Sequence, residues 1–239
     1  MLLDGKIAVV TGGGSGIGAA TVTELAHLGA KPIIWDVSAE SDVRCDVSDP
    51  MQVADAMQKT TDMYGTPTVL VACAGVGALS RRVVDIPAED LDRTFAVNTY
   101  GVLLCLQAVA RELIAQELEG SVVVVSSVNS LVADEGLGAY SMSKAATNML
   151  VRVAAHEMGR FGIRVNAVAP GPTDTPMLST LTANSEYLAE VAHRTPLGRV
   201  GTPDSIALAI VGLLAADWVT GQVLAVDGGS SLFTGRTIW

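Results

Sequence analysis

Short apolar runs alternate with longer amphipathic segments along the 239-residue chain. Continuous apolar character, without alternating polar residues, is what a parallel strand buried on both faces requires. Repeated alternation of such strands with helices predicts an α/β fold, a doubly wound parallel sheet with helices on both faces. The apolar runs are KIAVVTG, KPIIWD, TVLVACAG, SVVVVSS, IRVNAVAPG and GQVLAVDGG. The predicted helices cover residues 16–28, 50–64, 88–118, 139–161 and 203–216.

The composition is that of a well-buried globular protein. Hydrophobic residues make up 49% of the chain and charged residues 17%, which argues against disorder. No linker, internal repeat or low-complexity tract divides the sequence, so we expect one domain over residues 1–239. The net charge of −10 argues against binding to nucleic acid or to an anionic membrane. The most apolar helical segment, SIALAIVGLLAADWV, is too short and interrupted to span a bilayer.

The cysteines and the first residues of the chain bear on the cellular location of the protein. Cys45, Cys73 and Cys105 are widely spaced and form no C-x-x-C pair, so neither a disulfide framework nor a zinc site is indicated. The first residues, MLLDGKIAVV, contain Asp4 and Lys6 and do not resemble a targeting segment. We therefore expect a cytoplasmic protein without a bound metal.

A glycine-rich turn, VVTGGGSGIGAA, follows the first predicted strand and leads into the first helix. Gly12, Gly16 and Gly18 have the spacing G-x-x-x-G-x-G, a variant of the dinucleotide-binding fingerprint. Glycines let the backbone turn sharply and approach a pyrophosphate at the positive end of the helix. The alternative is an ordinary loop, and the position between strand and helix favours the dinucleotide site.

Asp36 ends the second predicted strand, 18 residues after Gly18. A carboxylate at this place accepts hydrogen bonds from the adenosine ribose. About 4 Å from a ribose 2′-phosphate it would cost up to roughly 4 kcal/mol per charge pair at intermediate dielectric. Since neither Val37 nor Ser38 offers a compensating cation, we expect NAD to be preferred to NADP. A strand-terminal aspartate that only starts a turn is the alternative.

Tyr140 and Lys144 lie one helical turn apart in the segment AYSMSKAATNML. Both are common on exposed helices, so surface decoration is one interpretation. The other is an acid beside the cation that lowers its pKa. A free tyrosine has a pKa near 10, too high for efficient acid–base catalysis at neutral pH, and a neighbouring ammonium group would favour the tyrosinate. The spacing alone does not decide between the two.

These pieces together resemble the classical short-chain dehydrogenase/reductase family over essentially the whole chain. The resemblance implies a Rossmann-type sheet of about seven strands and an oxidoreductase that moves hydride between a nicotinamide cofactor and a secondary alcohol or ketone. The matching pieces are TGGGSGIG, Asp36, CDVSD, ACAG, Asn98, the serine pair after VVVV, YSMSK, PGPTDT and GQVLAVDGG.

The resemblance implies a catalytic set of Asn98, Ser127, Tyr140 and Lys144. Ser127 matches the catalytic serine because it lies 13 residues before Tyr140, so Ser126 is expected to be structural. Tyr140 would take the alcohol proton, Ser127 would hold the same oxygen, and Lys144 would also anchor the nicotinamide ribose. Asn98 would help to hold a water that connects the lysine to solvent.

The resemblance also implies a larger set of cofactor contacts. Asp46 and Val47 match the position that contacts adenine, and the ACAG stretch matches the loop beside the adenosine ribose. Polar loop residues that serve only their local turns are the alternative. The full expected set is Gly12, Ser15, Gly16, Ile17, Gly18, Asp36, Asp46, Val47, Cys73, Ala74, Gly75, Tyr140, Lys144, Pro170, Gly171, Thr173 and Thr175.

Two departures from the family pattern affect the cofactor site. Cys73 stands where the family usually has asparagine, and it has no amide to bridge neighbouring strands. An inert buried thiol is favoured over a redox role. Only nine residues separate Asp36 from Asp46, too few for the helix that normally joins those strands. The adenosine side is therefore expected to be more open, and Arg44 could approach it and admit NADP.

Residues 177–200 occupy the position of the family's variable substrate lid and combine apolar residues with few charges. We expect a flap over a largely apolar alcohol or ketone, with Asn129, Leu137 and Tyr187 as candidate pocket residues. A cyclic alcohol, a steroid, a diol and an acyl chain all stay open as substrates.

Wide apolar stripes on the helices near residues 100–118 and 140–160, with the apolar tail SSLFTGRTIW, predict a homo-oligomer. The resemblance implies a tetramer. The rival functions are an NADPH-dependent acyl-carrier ketoreductase and a non-catalytic dinucleotide sensor. An enoyl reductase is disfavoured, because those relatives use a wider Tyr–Lys spacing.

Overall fold

A single parallel sheet organises the chain, whose computed structural model describes residues 3–38, 41–77, 80–178 and 184–232. Its seven strands follow the order β3-β2-β1-β4-β5-β6-β7, and every neighbouring pair is parallel. This confirms the predicted doubly wound fold. The strands are β1 (Ile7–Thr11), β2 (Lys31–Asp36), β3 (Val43–Arg44), β4 (Val69–Ala72), β5 (Gly120–Val125), β6 (Ile163–Pro170) and β7 (Val223–Val226).

The sheet is buried on both faces, which explains the continuous apolar runs. In β1, Val9 belongs to one hydrophobic core, while Ala8 and Val10 belong to the core on the other face. In β4, Leu70 and Val71 divide in the same way. A polar residue at either type of position would lose its water without gaining a partner, so alternation is absent.

Seven α-helices of the described chain cover the sheet. Their start signals are local: Asp49 accepts hydrogen bonds from the first-turn amides of α2, and Thr202 accepts one at the start of α7. The helices are α1 (Gly16–His27), α2 (Pro50–Tyr64), α3 (Ala88–Phe95), α4 (Val102–Ala115), α5 (Gly138–Met158), α6 (Ser185–Arg194) and α7 (Pro203–Ala215).

The helical segment predicted over residues 88–118 is interrupted. A π-helical stretch, Ala96–Gly101, separates α3 from α4. Such bulges are rare and are found mostly at functional sites. The sequence pattern did not indicate it, and residues 88–118 were predicted as one continuous helical segment. Asn98 lies inside this stretch and is fully buried.

The connection between β2 and β3 contains no helix in its described part, as the short spacing predicted. Trp35 of β2 donates from its indole nitrogen to the Thr60 hydroxyl of α2 at 2.9 Å, which anchors the edge of the sheet. At the other edge, Arg164 of β6 donates to the carbonyl oxygens of Leu213 and Leu214 and so caps the end of α7.

Residues 233–239 of the apolar tail and the lid residues 179–183 lie outside the described residues. Within the described ranges, no helix is both long and apolar enough to cross a membrane.

Candidate active site

The carboxyl ends of β1, β4, β5 and β6 meet beside the point where the strand order reverses between β1 and β4. In open parallel sheets ligands bind at this crevice. The glycine-rich turn follows β1, residues 73–77 follow β4, the serine pair follows β5, and the PGPTDT segment begins where β6 ends. The predicted site residues therefore converge on one edge of the sheet.

The glycine-rich turn is a cradle in which side chains would collide. A methyl group added to Gly12 would lie 2.8 Å from the Ala74 Cα atom, and one added to Gly14 would lie 3.0 Å from Asp36 Oδ2. A methyl group added to Gly18 would likewise collide with the Gly12 carbonyl oxygen. Ser15 precedes α1 without capping it through its side chain, so the first-turn amides stay available for an anion. These residues fit the diphosphate of a dinucleotide.

Cys73 has no side-chain amide that could connect neighbouring strands, and Thr11 makes this connection instead. Its hydroxyl oxygen accepts hydrogen bonds from the backbone amides of Cys73 and Ala74, both at 3.1 Å. Burial raises the pKa of the Cys73 thiol to about 12, with the Lys144 charge acting in the opposite direction. A neutral thiol at physiological pH agrees with the inert role expected for this cysteine.

Asp36 lies half-buried between the end of β2 and the glycine-rich turn. Its Oδ2 atom accepts a hydrogen bond from the Gly14 amide at 3.0 Å, and its Oδ1 atom accepts one from the Ser38 amide at 3.0 Å. Both oxygens keep further lone pairs, so the carboxylate can still accept from a ribose hydroxyl.

Asp46 and Val47, expected beside adenine, are both engaged locally. Asp46 Oδ1 accepts hydrogen bonds from the amide and hydroxyl of Ser48 at 2.9 and 2.7 Å. The Val47 side chain is buried in the core against Gly101, where an added methyl group would approach it to 2.7 Å. The contact of Asp46 and Val47 with adenine stays a prediction.

The PGPTDT segment runs from the end of β6 toward the glycine-rich turn. Thr173 is buried, and its hydroxyl donates to the Gly171 carbonyl oxygen at 2.9 Å, so it holds the turn that follows Pro170. Thr175 faces the glycine-rich turn, where a methyl group added to Gly16 would lie 3.4 Å from its Cβ atom. Thr175 is thus placed beside the diphosphate cradle.

Lys144 projects from α5 into the interior beneath this edge. Its Nζ atom donates to the Val125 carbonyl oxygen at 2.8 Å and lies 5.9 Å from the centre of the Tyr140 ring. Burial lowers the pKa of Lys144 from its usual 10.5 to about 8. A surface role for the pair is therefore wrong, since the lysine side chain is almost fully buried.

Burial raises the pKa of Tyr140, while the Ser127 hydroxyl acts to lower it. In the chain without a cofactor, desolvation of the phenolate is the larger of these effects. The expectation that Lys144, together with a positively charged nicotinamide, favours the tyrosinate stays a prediction. Ser127 is buried and also accepts from the Asn129 amide at 3.2 Å. The Ser126 hydroxyl donates a hydrogen bond to the Lys144 carbonyl oxygen, which fits the structural role expected of Ser126.

Asn98 is tied to both neighbouring segments by its side chain. Its Oδ1 atom accepts from the Val76 amide at 2.8 Å, and its Nδ2 atom donates to the Val76 carbonyl oxygen and to Ser143 Oγ, both at 3.0 Å. Ser143 Oγ in turn donates to the Tyr140 carbonyl oxygen at 2.7 Å. Thr147 donates to the Asn98 carbonyl oxygen at 2.8 Å. The π-helical stretch is thereby joined to the start of α5.

Ser143 and Thr147 were not among the predicted site residues. The signal was present, because positions three and seven residues after Tyr140 share its helical face. Gly75, a predicted cofactor contact, closes the group: a methyl group added to it would lie 3.3 Å from Asn98 Oδ1 and 3.4 Å from Lys144 Nζ. The structure thus brings Asn98, Lys144 and the loop after β4 into contact.

The three candidate substrate residues come from three different segments of the chain. Asn129 accepts a hydrogen bond from Ser127 Oγ at 3.3 Å, and Leu137 immediately precedes α5. Tyr187 lies on the lid helix α6, where burial and then the charge of Asp134 raise its pKa. Tyr187 therefore approaches the loop that leads into α5. In the described part of the chain, no three His, Cys, Asp or Glu side chains form a group that could hold a metal ion.

Comparison with known proteins agrees with this geometry. A family model described as enoyl-(acyl carrier protein) reductase matches residues 12–231. Cis-4-hydroxycyclohexanecarboxylate dehydrogenase of Sinomonas cyclohexanicum is 38% identical over 94% of this chain and 96% of its own. L-rhamnose 1-dehydrogenase (NAD(P)(+)) of Sphingomonas sp. strain SKA58 is 36% identical over 95% of this chain and 97% of its own. The chain belongs to the short-chain dehydrogenase/reductase family.

Structural similarity leads to the same family. The ligand-free aldohexose dehydrogenase of Thermoplasma acidophilum has a TM-score of 0.92 and 28% sequence identity, with 99% of this chain and 98% of that chain covered. The members named above are dehydrogenases, and this chain is accordingly an NAD(P)-dependent alcohol dehydrogenase or carbonyl reductase.

Replacing Ser143 by alanine tests whether the Asn98–Ser143–Tyr140 hydrogen bonds position the tyrosine. We expect kcat to fall by roughly 10- to 100-fold with an unchanged Kd for NADH, because only the acid–base group is displaced. Ser141→Ala is the matched control, since the Ser141 hydroxyl is buried without a hydrogen-bond partner among the described residues. Equal losses in the two variants, or a weakened NADH complex, would contradict a positioning role.

Proposed function

We propose that the chain is an NAD-dependent dehydrogenase of secondary alcohols, or a reductase of the matching ketones, with Tyr140 as the general acid and base. The observation that supports this most is the burial of Lys144 one helical turn after Tyr140, in contact with Gly75, which also adjoins Asn98. Apolar residues would stabilise the fold better than a phenol and an ammonium group that are withdrawn from water. The presence of these two groups at a dinucleotide cradle therefore indicates a functional role.

The side chains divide the proton chemistry among them. A bound nicotinamide would supply the hydride acceptor for the carbinol carbon, or the hydride donor for a carbonyl carbon. Tyr140 Oη takes the proton of the substrate hydroxyl, and in the reverse direction it gives that proton to the carbonyl oxygen. Ser127 Oγ holds the same oxygen through a hydrogen bond. Lys144, fixed by the Val125 carbonyl oxygen, would anchor the nicotinamide ribose and, together with the positive charge of the oxidised nicotinamide, would favour the tyrosinate.

The cofactor preference rests on Asp36. The carboxylate is aimed at the turn that would hold the adenosine ribose, and the amides of Gly14 and Ser38 fix it there. Ribose hydroxyls can donate to its remaining lone pairs, while a 2′-phosphate brings a second negative charge close to it. NAD is therefore the better ligand.

The substrate is a largely apolar secondary alcohol or ketone. Apolar side chains stand exposed around the opening, with Leu131 46%, Val132 38% and Met177 54% exposed. Met177 lies close to Gly77 of the loop after β4, so the start of the lid reaches over the site. The hydroxycyclohexane acid named for the Sinomonas relative makes cyclic alcohols the first compounds to test.

The chain works as a homo-oligomer, a tetramer, in the cytoplasm. An apolar groove between α3, the π-helical stretch and α5 is lined by Phe95, Ala96, Tyr100, Leu103 and Leu150, among others. Tyr100 is 48% exposed there, as expected of a surface that a second copy covers. The three cysteines are unpaired thiols, which favours a reducing compartment.

The decisive test of function is NADH production from NAD⁺ over a panel of cyclic secondary alcohols and diols. Tyr140→Phe should lower kcat/KM by roughly 100- to 10,000-fold, because the proton acceptor is lost while the ring is kept. Tyr64→Phe is the matched control, since Tyr64 ends α2 far from this edge of the sheet. Full activity in Tyr140→Phe would contradict the proposed mechanism.

The same assay separates the rival functions. Tight NADH binding with no turnover on any substrate would indicate a dinucleotide sensor. Faster reduction of a 3-oxoacyl thioester with NADPH than of any simple ketone would indicate an acyl-carrier ketoreductase.

Light scattering on the purified protein tests the assembly. We expect the mass of a tetramer, and we expect Leu103→Glu to lower it, because a buried carboxylate disfavours the contact along this groove. A monomeric mass for the unchanged protein would contradict the proposed assembly.

A further inference from the structure

The helix α5 holds the segment that follows β5 at two points. Lys144 Nζ donates to the carbonyl oxygen of Val125, the last residue of β5, at 2.8 Å. Asn148 lies one helical turn further along α5, and its Nδ2 atom donates to Ser130 Oγ at 2.7 Å. These two bonds reach the chain on either side of Ser127, so the position of Ser127 relative to α5 depends on both.

Ser130 connects Asn148 to the backbone of Ser127. The Ser130 amide donates to the Ser127 carbonyl oxygen at 3.0 Å, and the Ser130 hydroxyl donates to the same oxygen. Because the NH₂ group of an asparagine can only donate, Ser130 Oγ accepts from Asn148 and directs its single proton at Ser127. The asparagine therefore fixes the orientation of the hydroxyl that holds the Ser127 peptide.

The surroundings of Asn148 do not favour an asparagine on grounds of stability. The residue is only 5% exposed, and within the part of the chain that the structure describes its Oδ1 atom is buried without a hydrogen-bond donor. An unsatisfied buried acceptor destabilises a fold, and a leucine of similar volume would avoid that cost. The bond that the side chain does make leads, through Ser130, to Ser127.

The placement of Ser127 matters because its hydroxyl acts on Tyr140. Burial raises the pKa of Tyr140, and the Ser127 hydroxyl opposes this effect through a hydrogen bond to the tyrosine. Ser127 follows β5, whereas Tyr140 lies in the first turn of α5. Since a hydrogen bond weakens steeply away from its favoured distance and angle, the two residues keep this bond only if the segment after β5 is held against the helix.

We propose that Asn148 is a positioning residue that acts on the reaction through Ser127. By way of Ser130 it holds the Ser127 backbone, so that the Ser127 hydroxyl reaches the substrate oxygen that Tyr140 also meets. This rests on the proposed function, in which both side chains contact that oxygen. Asn148 shares one face of α5 with Tyr140 and Lys144, so a single helix sets all three positions.

Replacing Asn148 by leucine removes the donor and keeps the volume. With the cyclic alcohol of the panel that is oxidised fastest, we expect kcat to fall by roughly 10- to 100-fold at an unchanged Kd for NADH, because a small displacement of a reacting group is costly. The urea midpoint of unfolding should stay the same or rise, since an unsatisfied acceptor is removed. Ser130→Ala should also lower kcat, and it replaces Asn148→Leu in the test if that variant does not fold.

A double-mutant cycle tests whether the effect passes through Ser127. In a Ser127→Ala background we expect Asn148→Leu to change kcat by less than about twofold, because the group that it positions is already absent. Thr61→Val is the matched control, since the Thr61 hydroxyl on α2 is another buried polar group without a hydrogen-bond partner in the described ranges. This control should leave kcat and the NADH complex unchanged.

The ionisation of Tyr140 gives a readout that needs no substrate. Because the Ser127 hydroxyl opposes the burial that raises the pKa of Tyr140, its displacement should raise that pKa further. We expect this increase in both Asn148→Leu and Ser127→Ala. It is measured in the protein alone, as the near-ultraviolet absorbance difference from the same variant carrying Tyr140→Phe.

The outcomes separate this inference from the function on which it rests. An unchanged kcat in Ser127→Ala, or no oxidation of any alcohol with NAD⁺, would overturn the proposed function. A loss of kcat in Ser127→Ala with full kcat in Asn148→Leu would overturn the positioning role alone. A loss from Asn148→Leu that persists in the Ser127→Ala background, or that comes with a lower urea midpoint and an unchanged pKa of Tyr140, would do the same.

Discussion

A buried ammonium group is the constraint on which the active site depends. Lys144 Nζ is held by the Val125 carbonyl oxygen at the end of β5 and lies against Gly75 after β4. Removing a charged lysine from water is expensive, and its lowered pKa expresses that cost. The sheet provides the compensation, because parallel strands end together and present backbone carbonyl groups and loops at one edge.

Close packing around that charge explains why so many glycines and small polar residues lie nearby. Gly75 leaves room for Lys144 and for the Asn98 amide, and Gly12 lets the glycine-rich turn touch the backbone of Ala74. Thr11 ties the same loop to β1 through two amide hydrogen bonds. Gly75 thus connects Asn98 and Lys144 to the loop after β4, and Gly12 and Thr11 connect that loop to the glycine-rich turn and to β1.

The catalytic positions stay a prediction from motifs with fixed spacing. The sheet and most helix bounds were predictable, because they follow from continuous apolar runs. The π-helical stretch was not, since an inserted residue such as that around Asn98 leaves the hydrophobic period almost unchanged. The helix α6 was also missed, because its apolar face is narrow and only Asn184 marks its start. Helical spacing from Tyr140 could indicate the face that Ser143 and Thr147 share, but not their bonds to Asn98, which comes from a distant segment.

Residue spacing alone does not determine the direction in which the pKa of Tyr140 shifts. Separation by one helical turn correctly paired Tyr140 with Lys144, but the sign of the resulting pKa shift depends on burial, which spacing does not contain. Desolvation opposes the phenolate, so the chain holds Tyr140 as a neutral proton donor. A positive charge on the bound nicotinamide is then needed to favour the tyrosinate in the oxidative direction.

The most direct test of this account is the ionisation of Tyr140, measured as the near-ultraviolet absorbance difference between the unchanged protein and Tyr140→Phe as the pH is raised. The account predicts a pKa above the usual value of about 10 in the protein alone, and a lower pKa once NAD⁺ is added. Ionisation of Tyr140 near neutral pH without NAD⁺, or a titration that NAD⁺ does not change, would contradict it.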